Sequence, residues 1–177
     1  MNVSWFIISW LLFGIIKAKR MSGPGPGKAG VIAFWTALLV GWVLTCFVTF
    51  SINLAFWIGV AIIVFGEVVF ALGYIAMREH PEKKKVVVDW GIYKVSRHSH
   101  VLAGIICLLG TITIIVGWNP ESIIYIFLWF YFVLYVALSH FAVLNEEKQN
   151  IERFGHEYVD YMNKTPRYVG IPKSVEK

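Results

Sequence analysis

Residues 54–77 read LAFWIGVAIIVFGEVVFALGYIAM, an apolar run that contains a single charged side chain, Glu67. Each residue of a helix advances about 1.5 Å, so a run of this length is long enough to cross about 30 Å of bilayer hydrocarbon. The run therefore predicts a transmembrane helix. Gly59, Gly66 and Gly73 recur within it at regular spacing, and such a stripe of small residues indicates that another helix packs closely against it.

Four further apolar stretches surround this run, at residues 2–16, 29–50, 101–118 and 122–144. With 58% hydrophobic and only 15% charged residues, the chain has the composition of a membrane protein. The first stretch is followed, not preceded, by basic residues, which is the reverse of a signal peptide. We therefore expect one all-α domain over residues 1–177, a polytopic integral membrane protein with about five transmembrane helices.

The basic residues predict the orientation of these spans. All 16 Lys and Arg follow the first, third or fifth stretch, and none lies in the connections 51–53 and 119–121. Because basic residues gather on the cytoplasmic side, the amino terminus is expected outside and the carboxyl terminus in the cytoplasm. The basic residues behind the net charge of +5 occur in short blocks, which suit contact with anionic lipid headgroups. Nucleic acid is therefore not an expected partner.

Two polar segments, 85–101 and 145–167, share the predicted cytoplasmic face and hold most of the ionisable groups. In the first, Arg97 and the residues up to His100 stand at the start of a helix, where free N–H groups favour a carboxylate or a phosphate. In the second, Glu146 and Glu147 point about 100° apart, so that one of them faces inward. The simpler alternatives are a basic cluster that serves topology alone and a solvated helix end.

The residues after Gly155 predict a short amphipathic helix on the cytoplasmic surface. Tyr158, Tyr161 and Met162 recur there at helical spacing with charged residues between them. Pro166 is expected to end this helix.

The motifs of the second half resemble the isoprenylcysteine carboxyl methyltransferase family and its phospholipid methyltransferase relatives. The resemblance covers roughly residues 54–172 and implies a cytoplasmic site for S-adenosylmethionine. It is carried, in chain order, by Val87-Val88-Asp89-Trp90-Gly91-Ile92-Tyr93, Arg97-His98, Gly104, Gly110, Glu146-Glu147, Phe154-Gly155, Tyr158 and Tyr161.

The resemblance also implies roles for individual residues. Arg97 and Glu147 match residues implicated in activity, and Glu146 matches the acid that binds the cofactor. The other implied cofactor contacts lie in the first polar segment: Val87, Val88, Tyr93, His98, Ser99, His100 and Val101. No metal is expected, because His98, His100 and His140 would need the fold to bring them together.

The methyl acceptor is where this chain departs from the family pattern. Ser99 and Val101 replace the usual proline and tyrosine, and Ala142 stands where the prenylcysteine enzymes carry an acceptor-binding arginine. We expect a lipophilic acceptor that enters from the bilayer, in first place the carboxylate of a prenylated cysteine. A phospholipid amine is the alternative, with His100, His140 or Glu147 as the proton acceptor.

Two readings from other classes stay open. The first is a reductase, because membrane sterol reductases resemble this chain in the layout of its carboxyl-terminal part and use NADPH. The second is a non-enzymatic membrane scaffold that retains the fold but has lost the chemistry. The sequence does not set the oligomeric state. Glu67 adds a separate expectation: an ionisable group near the bilayer centre costs at least about 2.5 kcal/mol, so it should contact a neighbouring helix or line a tunnel for the acceptor.

Overall fold

The computed structural model describes residues 51–78, 86–116 and 123–170. Helices account for 82% of these residues, and the predicted all-α class is confirmed for this part of the chain. The four α-helices and the short 3₁₀ helix are, in chain order, α1 (Leu54–Arg78), the 3₁₀ helix (Gly91–Lys94), α2 (Ser99–Val116), α3 (Ile123–Phe154) and α4 (His156–Lys164).

Two of these helices are long and apolar enough to cross a membrane. They are Leu54–Met77 in α1 and Tyr125–Phe154 in α3, with mean hydropathies of 2.4 and 2.0. Only 22% of the most apolar part of each helix is buried inside the protein. Both properties support membrane association. The apolar part of α2, Ser99–Ile115, is shorter. Five spans remain a prediction, since residues 2–16, 29–50 and the connection 119–121 lie outside the described ranges.

Glycines allow α1 and α2 to pack closely along their length, as the glycine stripe predicts. A Cβ on Gly59 would lie 2.6 Å from the carbonyl oxygen of Gly110, and one on Gly110 would lie 2.7 Å from that of Gly59. At the other end of α1, a Cβ on Gly73 would lie 2.9 Å from Ser99 Oγ. The last turns of α1 are therefore pressed against the first turn of α2.

Glu67 lies on α1 at the interface with α2. Cys107 of α2 donates a hydrogen bond from Sγ to Glu67 Oε1 at 3.9 Å, and the same sulfur lies 3.7 Å from the carbonyl oxygen of Ile63. The expected contact with a neighbouring helix is thus present. A role in a tunnel for the acceptor remains a prediction.

A small apolar core joins the segment before α2 to helix α4. Trp90 Nε1 donates to the Ala76 carbonyl at 2.9 Å, which holds this segment against the end of α1. The Tyr161 hydroxyl donates to the Tyr93 carbonyl at 2.8 Å, which ties the 3₁₀ helix to α4. The buried members of this core are Ala76, Val87, Tyr93, Tyr158, Tyr161 and Met162.

Helix α3 continues well past its apolar part. The predicted span ended at Leu144, whereas the helix runs to Phe154 and has 32 residues. At about 1.5 Å per residue this is about 48 Å, more than the hydrocarbon thickness, so we take the apolar part to end at Leu144 and the polar turns to project beyond it. The polar turns stay helical because they contain good helix formers and neither glycine nor proline.

Gly155 separates α3 from α4. Its φ of +58° lies in the left-handed region, which glycine adopts without strain, and the chain turns there. Helix α4 follows, with Tyr158, Tyr161 and Met162 buried, and it ends at Lys164 ahead of Pro166. The predicted short amphipathic helix is confirmed.

Candidate functional site

The structure brings the two polar segments together at one end of α2 and α3. Arg97 and His98 come directly before α2, and Glu146 and Glu147 lie in the polar turns of α3. Arg97 Nη2 donates to Glu147 Oε1 at 3.0 Å, and His98 Nδ1 lies 3.6 Å from Glu146 Oε2. Residues about fifty positions apart therefore border one site.

Glu147 is the centre of this site. Its Oε1 accepts hydrogen bonds from Arg97 Nη2 and Arg167 Nε, both at 3.0 Å, and lies 3.3 Å from His98 Nε2. Its Oε2 accepts from Arg167 Nη2 at 2.6 Å. A carboxylate offers about four acceptor positions, so these partners occupy the group. Two guanidinium groups in direct contact also hold it ionised.

Arg97 is fixed from three sides. Besides Glu147 it contacts α4, where Nη1 donates to the Met162 carbonyl at 2.7 Å. Its backbone N–H donates to the Pro166 carbonyl at 3.1 Å. The residue is only 9% exposed, so its charge is paired with Glu147 inside the protein and is not presented to bulk solvent.

His98 is the most buried ionisable side chain of the site, at 1% exposure. Burial by itself lowers the pKa of His98, but the negatively charged carboxylates of Glu146 and Glu147, at 3.6 and 3.3 Å from its ring nitrogens, outweigh it and the pKa is raised above its usual value. His98 therefore carries positive charge over a wider pH range than a free histidine.

Glu146 is the accessible acid of the pair. Its side chain is 26% exposed, against 5% for Glu147. A partly exposed carboxylate that faces a buried histidine has acceptor capacity left for a ligand. This is the arrangement that the sequence anticipates, with one acid turned inward and its neighbour turned aside.

Three buried nitrogens of the site have no hydrogen-bond partner among the described residues: Arg97 Nε, His98 Nδ1 and His100 Nδ1. Buried polar atoms in proteins are nearly always hydrogen-bonded, so each of these needs a partner. His100 lies near His98, with ring centroids 6.4 Å apart. An oxygen-bearing ligand beside Glu146 and His100 would supply such a partner.

The remaining predicted cofactor residues lie beside this polar cluster. Val87 is buried and Val88 partly buried in the core formed with α4. Burial raises the pKa of Tyr93 to about 12, and its hydroxyl lies near Ser99, which is fully buried at the start of α2. Val101, two residues further along α2, is half-buried. These residues border the site from the side of α1 and α4.

Arg167 is the residue that sequence reasoning missed. It makes two of the four contacts of Glu147, whereas the sequence marks it only as one of the basic residues that set the topology. Its neighbour Tyr168 lies with its hydroxyl 3.2 Å from His140 Nδ1. The one signal in the sequence was the position of Arg167 at the end of the second polar segment, directly after the proline that closes α4.

Comparisons with known proteins return no match. No family model, no curated protein and no solved structure matches this chain. The resemblance to the methyltransferase family thus rests on the motifs quoted above.

Proposed function

We propose that this protein is a membrane methyltransferase that uses S-adenosylmethionine and modifies a lipophilic acceptor. The observation that carries the proposal is the contact of Arg97 and His98 with Glu147 and Glu146. These residues are among those that carry the family resemblance, and they come from distant parts of the chain. Their site lies at the end of apolar helices, where a polar cofactor and an oily acceptor can both reach it.

The residues present fit the cofactor. Glu146 offers a partly exposed carboxylate to a ribose hydroxyl or to an amino group, and His100 Nδ1 is a buried atom in need of a partner. Val87 and Val88 supply apolar surface beside Tyr93 for an adenine ring. When bound, the cofactor supplies an electrophilic methyl group on a sulfonium sulfur.

Position and electrostatics are what the protein contributes to such a transfer. Holding two reactants at attack distance supplies about 7 to 11 kcal/mol of barrier reduction. Glu146 would hold the cofactor with its partly exposed carboxylate and would place negative charge beside the sulfonium, in a site where such charges act strongly. The cofactor would supply the methyl group to the acceptor and would keep the electron pair of the broken carbon–sulfur bond.

The state of Glu147 favours a carboxylate acceptor over an amine. A carboxylate attacks without losing a proton, whereas an ammonium group needs a base. Glu147 is held ionised by Arg97 and Arg167, and its acceptor positions are occupied, so it is a poor base. His100 and His140, the latter in contact with Tyr168, are the remaining candidate bases for a phospholipid amine, which is the second function to test.

The proposal includes the predicted topology. The polar turns of α3 and helix α4 lie in the cytoplasm, the amino terminus lies outside, and the acceptor enters sideways from the bilayer. In the described residues the faces of α1 and α3 carry exposed large apolar side chains such as Trp57, Phe65 and Phe130, which suit contact with lipid.

A labelled-methyl assay tests the activity. Purified protein is incubated with methyl-labelled S-adenosylmethionine and either native lipid extract or small prenylated thiols, and the labelled product is identified. Glu146→Gln should reduce labelling strongly, and Glu152→Gln, an exposed change on the same helix, should not. Label on a lipid amine selects the second acceptor. Hydride transfer from NADPH without any labelling would point to a reductase.

A further inference from the structure

Residues 165–168, which we call the strap, follow α4 and contact both the turn before α2 and helix α3. On one side the strap accepts hydrogen bonds from the turn before α2. Arg97 N–H donates to the Pro166 carbonyl at 3.1 Å, and His98 N–H donates to the Arg167 carbonyl at 3.2 Å. Ser96 Oγ donates to the Arg167 carbonyl at 3.3 Å. The strap therefore supplies the acceptors for the backbone of both site residues.

On the other side the strap is attached to α3 by two side chains. Arg167 makes a bidentate pair with Glu147, at 3.0 Å from Nε to Oε1 and 2.6 Å from Nη2 to Oε2. Tyr168 contacts His140 at 3.2 Å. His140 and Glu147 are two helical turns apart on one face of α3, so both attachments lie along the same line.

Burial shows which member of the charged cluster is accessible. The Arg167 side chain is 32% exposed, whereas Glu147 is 5% and Arg97 is 6% exposed. Thr165 at the start of the strap is buried, and Val169 just after it is 70% exposed. The strap thus runs from the core to the surface, and Arg167 is the solvent-facing end of a buried charge network.

We infer that Arg167 is a positioning residue: it fastens the strap to Glu147 and thereby fixes Arg97 and His98 at the site. The inference rests on the proposed function for what the site binds, but not for how the strap is held.

Hydrogen exchange of the Arg97 and His98 amides tests the strap without any ligand. Hydrogen bonds to charged groups are strong, so Arg167→Gln should speed exchange of these amides by at least about tenfold. Arg167→Lys keeps the positive charge but loses the two parallel N–H donors of the guanidinium, and should increase the exchange rate by less. Lys164→Gln removes an exposed charge next to the strap and serves as the matched control with unchanged exchange.

Titration of the His98 imidazole by NMR tests positioning through Glu147. The groups that face His98 are Glu146 and Glu147 of α3, His100 of α2 and the neighbouring Arg97. Arg167→Gln removes a cation from Glu147, so His98 should titrate at higher pH than in the wild type. Arg167→Lys should leave the titration near the wild-type value, a rescue that a purely structural role does not predict.

The outcomes distinguish a failure of the positioning role of Arg167 from a failure of the proposed function. Unchanged amide exchange in Arg167→Gln overturns the strap, and an unchanged His98 titration overturns positioning through Glu147. With both readouts moved as expected, affinity for S-adenosylhomocysteine should also fall in Arg167→Gln. If the wild type binds no S-adenosylhomocysteine while both readouts still move, the proposed function fails and the positioning role stands.

Discussion

Glu147 shows how a single buried carboxylate organises this site. It contacts two arginines and a histidine, and it is only 3% exposed. A buried ion pair contributes little by itself, because the loss of hydration offsets the attraction. Removing one partner is costly, since it leaves an unpaired charge in the interior. Glu147 is therefore needed for the geometry of the site whatever part it takes in the chemistry.

Glu147→Gln should destabilise the protein by about 3 to 5 kcal/mol, because it leaves Arg97 buried without its counter-charge. Thermal or denaturant unfolding in detergent measures the change. Glu152→Gln, on the exposed side of the same helix, is the matched control and should have little effect. Equal stability of the two variants would contradict the central place given to Glu147.

The raised pKa of His98 predicts how stability depends on pH. A group whose folded-state pKa lies above its unfolded value of about 6.5 stabilises the folded protein fully below that pH. The contribution is lost as the pH rises through the folded-state pKa. The wild type should thus lose stability above about pH 6.5, and His98→Gln should flatten this part of the profile. A wild-type stability that instead increases over this range would show that His98 is neutral at the site.

Most residues of the site could be named from the sequence, but their partners could not. Arg97, His98, Glu146 and Glu147 stand out because they are ionisable groups at the ends of apolar runs. Arg167 does not stand out, since its contact with Glu147 depends on how the chain turns after α4. The choice of which acid is buried likewise needs the rotation of α3, which an adjacent pair leaves open.

At the scale of the helices, the packing of α1 on α2 positions the site. The glycines of α1 let the two backbones approach, and Gly73 places the end of α1 against Ser99 and near Tyr93. Without a hydrophobic force between helices inside lipid, such close packing is a main source of association.

Gly59→Val should disrupt this interface, since a Cβ at Gly59 already lies 2.6 Å from the Gly110 backbone oxygen. Overpacking of this kind costs about 1 to 3 kcal/mol, and backbone atoms cannot move aside as a side chain does. Ala61→Val, at an exposed position on the same helix, is the control. Unfolding of both variants in detergent gives the comparison, and an equal effect would exclude a tight α1–α2 contact at Gly59.

The sequence predicts that these helices are present more accurately than it predicts where they begin and end. Hydropathy locates the apolar part of α3, which ends at Leu144, but it carries no information on where the backbone stops being helical. The helix goes on to Phe154, where Gly155 ends it. The same reason explains why α2 begins at Ser99, two residues before the start of the predicted span.

On the scale of the whole molecule, charge distribution and apolar runs lead to the same orientation. All Lys and Arg are predicted to lie on one side of the membrane, and the residues of the site belong to the same predicted side. The sequence was sufficient for the helical class of the described residues, and two of their helices are long and apolar enough to support membrane association. It was insufficient for the acceptor, whose identity depends on the shape of a site that two distant segments form together.

Topology can be measured by thiol labelling. The thiol of the variant Lys164→Cys, on the exposed end of α4, should react with an impermeant maleimide only from the cytoplasmic side of the membrane. A cysteine at Ser51, in the connection before α1, should react only from the other side. Ala replacements of Cys46 and Cys107 remove the background. Labelling of both positions from one side would contradict the predicted orientation.

The most direct test of the proposed site is calorimetric titration of the purified, folded protein with S-adenosylhomocysteine. We expect saturable binding to the wild type and to Glu152→Gln, and a loss of at least about tenfold in affinity in Glu146→Gln, whose carboxylate is the open acceptor of the site. Absence of binding by well-folded wild-type protein, or equal affinity in the Glu146 variant, would contradict the assignment of this cluster as a cofactor site.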